Sequence, residues 1–172
     1  NHISALENYD RPEIAAEELP ADAYRDDVAA NLAVAERWVT EHSDTEFDFF
    51  LPPYSILFWD KVIREGRTEA VFAAIRQAGQ TLLQYDNVKF YGYLMDPEIV
   101  TNLDNYCDYI HHSGGVCREI LAMLQREEGR LTEENLEETL ANWREFVVHY
   151  DYDQFWDERF WIQWNAEHAA AP

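Results

Sequence analysis

Apolar residues recur at helical spacing through Tyr24, Val28, Leu32, Ala35 and Val39, which predicts an amphipathic helix over residues 21–42. The short aromatic run 46–51, Glu-Phe-Asp-Phe-Phe-Leu, is closed by Pro52-Pro53 and predicts a strand ending at a stiff loop. A helix over residues 55–65 follows, with Ile56, Leu57, Trp59 and Val62 inward and Gly66 as its stop. Thr68 reads as the cap of the next helix, with Glu69 in its first turn and Val71, Ile75, Ala78 and Leu82 as its buried stripe. Residues 87–94 predict a second strand. Asp96-Pro97 then has the cap-then-proline order of a helix start. A polar loop over 101–113 precedes a helix over 115–126. Thr132 reads as the cap of a last helix, with Leu136, Leu140, Trp143 and Val147 on one face.

Helix, strand, helix, strand, helix is the order of a parallel α/β sheet with crossover helices. The expected fold is therefore a three-layer, flavodoxin-like parallel sheet. Only two clear strands are visible where such sheets use about five. The chain thus reads as the carboxy-terminal part of that fold with extra carboxy-terminal helices, cut from something longer, as its start at Asn1 rather than Met also implies. The expected organisation is an irregular arm over 1–20, the α/β part over 21–126, and a helical, aromatic-rich extension over 127–172.

At 172 residues, 47% hydrophobic and 15% aromatic, the chain is long and apolar enough to bury a core. No run of about 18 apolar residues occurs, and the first residues lack a signal-peptide pattern. Thirteen basic residues against 34 acidic ones leave a formal charge of -21. That surface repels phosphate backbones and anionic lipid, so nucleic acid and direct membrane insertion are not expected. The plain role of the charge is solubility.

Candidate chemistry concentrates in residues 102–115, where Asp108-Tyr109-Ile110-His111-His112-Ser113-Gly114-Gly115 lies between a strand and a helix. In open α/β sheets, sites collect in such loops. An acid three residues before a histidine lets one tight turn bring carboxylate to imidazole, leaving the other ring nitrogen free to take a proton. The Asp108-x-x-His111 block, the glycine turn after it, Pro52-Pro53-Tyr54-Ser55 after the first strand and the strand beginning Asn87-Val88 together resemble SGNH (GDSL-type) hydrolases, among them the D-alanyl transfer proteins of teichoic-acid modification. The resemblance covers roughly residues 24–124 and implies a serine esterase or O-acyltransferase acting on cell-envelope glycan or polyol esters in an extracytoplasmic bacterial compartment, without a cofactor or metal. It would make His111 the general base, Asp108 its orienting carboxylate, and Tyr54 and Ser55 substrate-lining. The family's Gly-Asp-Ser-like nucleophile turn and its oxyanion-hole glycine and asparagine blocks are absent. None of Ser4, Ser43, Ser55 and Ser113 lies in the nucleophile's context. The fragment alone would therefore be inactive without an upstream half to pair with.

Plainer readings stand beside these. His111 is equally a loop histidine bonded to a nearby acid, and His112 an exposed neighbour. Cys107, His111, His112 and Cys117 have zinc-ligand chemistry but not the spacing of a common structural site. The cysteines also serve as small buried residues or as a disulfide. Pro52-Pro53 needs no role beyond a turn. The paired glutamates at 127–128, 133–134 and 137–138 fit a solvated helix start. Trp156, Phe160 and Trp164 share a helical spacing whose ordinary purpose is packing, with glycan or partner binding as the functional alternative. The second reading of the whole chain is a non-catalytic acidic interaction domain, homo-oligomerising or binding a partner through its acidic surface and aromatic tail.

Overall fold

The computed structural model describes residues 2–157, 159, 161–163 and 166, with the side chains of residues 2 and 3 left out of the description. The chain is α/β, mostly helical around a small three-stranded mixed sheet. Its helices are α1 (His2–Glu7), α2 (Arg25–Glu41), α3 (Ile56–Arg64), α4 (Thr68–Leu82), α5 (Pro97–Val100), α6 (Gly114–Arg126) and α7 (Leu136–His149). Its strands are β1 (Phe47–Phe50), β2 (Val88–Tyr91) and β3 (Arg130–Leu131), in the order β1-β2-β3.

β1 pairs with β2 in parallel, Phe47 opposite Val88 and Phe50 opposite Tyr91. β3 pairs with β2 antiparallel, so the sheet is mixed where a parallel one was expected. Side chains alternate across it. Val88 and Phe90 enter a large cluster with Trp59, Phe72, Leu82, Leu140 and Val147, drawn from α3, α4 and α7. Tyr91 points the other way and, with Tyr93 beyond the strand, meets Val116, Ile120 and Met123 of α6. Helices therefore cover both faces of β2.

The arm expected to be irregular begins with a helix. Ala5 and Tyr9 are buried, and Arg11 reaches Asp60 of α3. Thr68 is the first residue of α4 rather than its cap, and Arg67 before it makes no side-chain cap bond. Asp96 does cap α5, its Oδ1 accepting from the amides of Glu98 and Ile99 at 2.9 and 3.2 Å. Thr132 precedes α7 in a reciprocal turn with Asn135: the Thr132 amide donates to Asn135 Oδ1 and the Asn135 amide to Thr132 Oγ1. β2 stops at Gly92, and Tyr93–Met95 turn as a 3-10 helix. At the chain's end Tyr152–Trp156 form another 3-10 turn that buries Tyr152 and Phe155 and leaves Trp156 half exposed. Phe160 and Trp164, the rest of the expected aromatic face, lie outside the described residues.

Candidate functional site

The loop after α5 is built from its own backbone first. Leu103–Asn105 form a 3-10 turn, and Tyr106 bridges antiparallel to His112, with the Cys107 amide donating to His111 O. That small hairpin makes Asp108 the start of a tight turn. Its Oδ1 accepts from the amides of Ile110 and His111 at 2.8 and 2.7 Å, and its Oδ2 lies 2.6 Å from His111 Nδ1. Partial burial pushes the Asp108 carboxyl up. The hydrogen bonds from the His111 ring and from the two amides outweigh that and hold it below the usual range.

The loop is bolted to the fold from three sides. Tyr106 donates its hydroxyl to Pro53 O at 2.7 Å, Ser55 donates both its amide and its hydroxyl to Tyr109 O, and Asn8 Nδ2 reaches Cys107 O at 3.0 Å. The Pro52-Pro53-Tyr54-Ser55 segment thus holds the loop in place. Ser55 is fully buried with its proton committed to Tyr109, and Tyr54 packs its ring 5.0 Å from that of Phe58.

The His111 side chain is 70% exposed. Among the described residues no serine hydroxyl is hydrogen-bonded to it: Ser55 is turned into the core, and Ser113 Oγ caps α6 through the Val116 amide. The structure brings Asp108 and His111 together, but among the described residues it sets no serine hydroxyl beside them, and acyl transfer needs a nucleophile. Both cysteines are free and exposed, with Cys117 Sγ 3.7 Å from His112 Nδ1. No group of three His, Cys, Asp or Glu among the described residues is placed to hold a metal ion.

A second concavity went unseen in the sequence. A cavity of about 330 Å³ opens where β2 ends, lined by Tyr93, Met95, Asp96, Arg130, Leu131 and Thr139. Two glycines line it. A Cβ on Gly92 would come within 2.8 Å of Met95 Cε, and Gly129, at φ +71°, would place one 3.1 Å from the Tyr93 ring. Its lining mixes apolar Tyr93, Met95 and Leu131 with the charges of Arg130, Asp96 and Glu98, and Arg130 Nη1 donates to Glu127 at 2.7 Å. The only local hint was the pair of glycines flanking aromatic and basic residues. The lining comes from segments that the sequence keeps more than thirty residues apart.

Comparison with known proteins changes the reading of the first loop. No protein-family model matches the chain, and no solved structure matches it. Two curated proteins do, both named UPF0735 ACT domain-containing protein, from Lacticaseibacillus casei (strain BL23) and Lacticaseibacillus paracasei (strain ATCC 334). Each is 24% identical over 90 residues, which is 52% of this chain and 62% of the relative, so the chain spans less than two thirds of the relatives' length. The resemblance to SGNH-type hydrolases is corrected by this finding. The proteins matched are named for an ACT domain, and neither name is that of a hydrolase, GDSL esterase or acyltransferase. With it falls the reading of the chain as a segment of a serine esterase or O-acyltransferase, as does the D-alanyl transfer likeness.

Proposed function

We propose that this chain is a non-catalytic binding domain with a regulatory role, taking a small polar ligand in the cavity at the end of β2. The carrying observation is that cavity, whose lining mixes apolar side chains with charges of both signs, within a fold that, among the described residues, sets no serine hydroxyl beside the Asp108–His111 pair. The name of the two curated relatives, ACT domain-containing protein, supports a domain of this kind over an enzyme. We read the parallel β1–β2 pair, with helices over both faces of β2, as part of a three-layer, flavodoxin-like frame in which the cavity lies at a strand's carboxyl end, the usual place for ligands.

Arg130 and Asp96 both line the cavity, so the ligand that fits bears both a carboxylate and an ammonium group. A thermal-shift panel of small zwitterions and carboxylates tests this. A ligand held at about 100 times its Kd stabilises by about 2.7 kcal/mol. Arg130→Ala and Gly129→Leu should each abolish the shift while the protein stays folded by circular dichroism. A panel with no responder, or a response that survives both substitutions, removes the cavity as the site.

A further inference from the structure

Among the described residues β1 is paired on one side only. Its ladder to β2 uses the amides of Phe47, donating to Asn87 O, and of Leu51, donating to Tyr91 O, each at 2.9 Å. Backbone groups of alternate residues in a strand point to opposite sides. The N–H and C=O groups of Asp48 and Phe50 therefore face away from β2, and among the described residues no other strand takes them. Phe50 is 41% exposed on one face of this edge.

α2 belongs to the other face, where its Leu32, Ala35 and Val39 share a core cluster with Phe47 and Phe49. Glu36 of that helix accepts from Tyr85 Oη at 2.9 Å, just beyond α4, which marks the flank turned toward α4. Trp38 lies about 200° round from Glu36 at 3.6 residues per turn, with Val34 one turn before it. Both are on the flank turned away from α4, 50% and 42% exposed. Natural proteins protect free edges with short strands, charged side chains, proline or bulges. β1 is four residues long and carries Asp48, with Asp44 and Glu46 beside it, Glu46 also holding Lys89 at 3.0 Å. Those acids repel a second copy of a chain carrying -21 and attract a basic one.

We infer that the free edge of β1 receives an extended segment of another protein, one that alternates apolar residues with lysine or arginine. It adds a strand beside Asp48 and Phe50, its basic side chains on the face that Asp48 and Phe50 share and its apolar ones on the opposite face, toward Trp38. The surface is separate from the cavity, so Arg130→Ala leaves it intact and the two readings fail independently.

The test is fluorescence anisotropy of the whole chain with a labelled peptide of alternating lysine and valine, compared with an equally charged peptide of alternating lysine and serine. The lysine–valine peptide is expected to saturate and to bind at least about tenfold more tightly. Asp48→Pro, which removes an outward N–H and leaves the amides bonded to β2, should cost a similar factor, as should Trp38→Ala. Methylating alternate amides of the peptide gives the same answer without altering the protein, should Asp48→Pro unfold it. Equal binding of the two peptides, no saturation below about 1 mM, indifference to amide methylation, or a dimer that Asp48→Pro dissolves would each overturn the proposal.

Discussion

Asp60 shows how much one side chain can be asked to hold. It is 2% exposed on α3, yet all its strong partners come from the amino-terminal arm: Arg11 Nε at 2.8 Å from Oδ2, Arg11 Nη2 at 3.0 Å from Oδ1, and Tyr9 Oη at 2.9 Å from Oδ2. Burial, then the Asp60 charge, pushes the Tyr9 phenol far above its ordinary value, so it stays a donor. Removing one partner of a buried ion pair strands the other charge. Arg11→Ala should therefore cost about 3 kcal/mol, the low end of the range because Arg11 keeps some water contact. Asp60→Asn added to Arg11→Ala should recover part of the loss, read as the urea midpoint at unchanged slope. The Asp108 turn makes a pH prediction instead. Its folded carboxyl sits below the unfolded value, so its stabilisation is present above the unfolded pKa of about 3.9 and is lost as pH falls through the folded one. The gap in unfolding free energy between wild type and Asp108→Asn should be full at neutral pH and close progressively in the acid range. A gap that does not change with pH would mean the carboxylate is not held by its charge. This pair was readable because an i, i+3 spacing is local. The Arg11–Asp60 clamp was not, since nothing near Asp60 in the chain marks it as buried.

The elements divide along the same line. Helices α2, α3, α4 and α7 followed from apolar stripes, the bounds of α2 and α3 to within four residues, and the cap at Asp96 followed from side-chain chemistry that acts within one turn. β3 is two residues long, too short to show any alternation, and exists because the Gly129 carbonyl and the Arg130–Leu131 backbone find β2. α1 was hidden because the turn it packs on, Leu103–Asn105, is distant in sequence. The cavity needed β3 and was unreadable for the same reason. Gly79 shows tertiary contact deciding the sign of a substitution. In an open helix Gly→Ala gains about 1 kcal/mol. Here a Cβ would come within 2.8 Å of Leu136 Cδ2, and Leu136 is itself buried where α4 crosses α7. Overpacking costs about 1–3 kcal/mol, so the net should be a loss of about 1 kcal/mol. Gly79→Ala is expected to lower the urea midpoint, and Leu136→Ala introduced with it should remove the clash and show a cost below the sum of the two singles.

Across the whole molecule the dominant fact is charge. Ion pairs such as Arg144–Glu69 and Arg76–Glu137 are half exposed and each worth at most about 1 kcal/mol. Were every basic side chain paired off, the excess of 21 negative charges would remain. These repel one another more in the compact state than in an expanded chain. Salt should therefore stabilise this protein where it weakens one resting on surface ion pairs. The Debye length falls from about 10 Å at 0.1 M to about 3 Å at 1 M salt, which covers the spacing between neighbouring carboxylates but scarcely touches the buried core. The melting temperature should rise by several degrees between those two concentrations of potassium chloride. Kosmotropic salts would strengthen burial by exclusion as well, so chloride is the cleaner probe. Glu13→Gln, Glu41→Gln and Glu133→Gln combined, all at exposed positions, separate the two effects. If repulsion is the cause, the triple variant melts higher at low salt and gains less from added chloride. If its response to chloride equals that of the wild type, the charge serves only to keep the protein in solution and imposes no measurable strain on the fold.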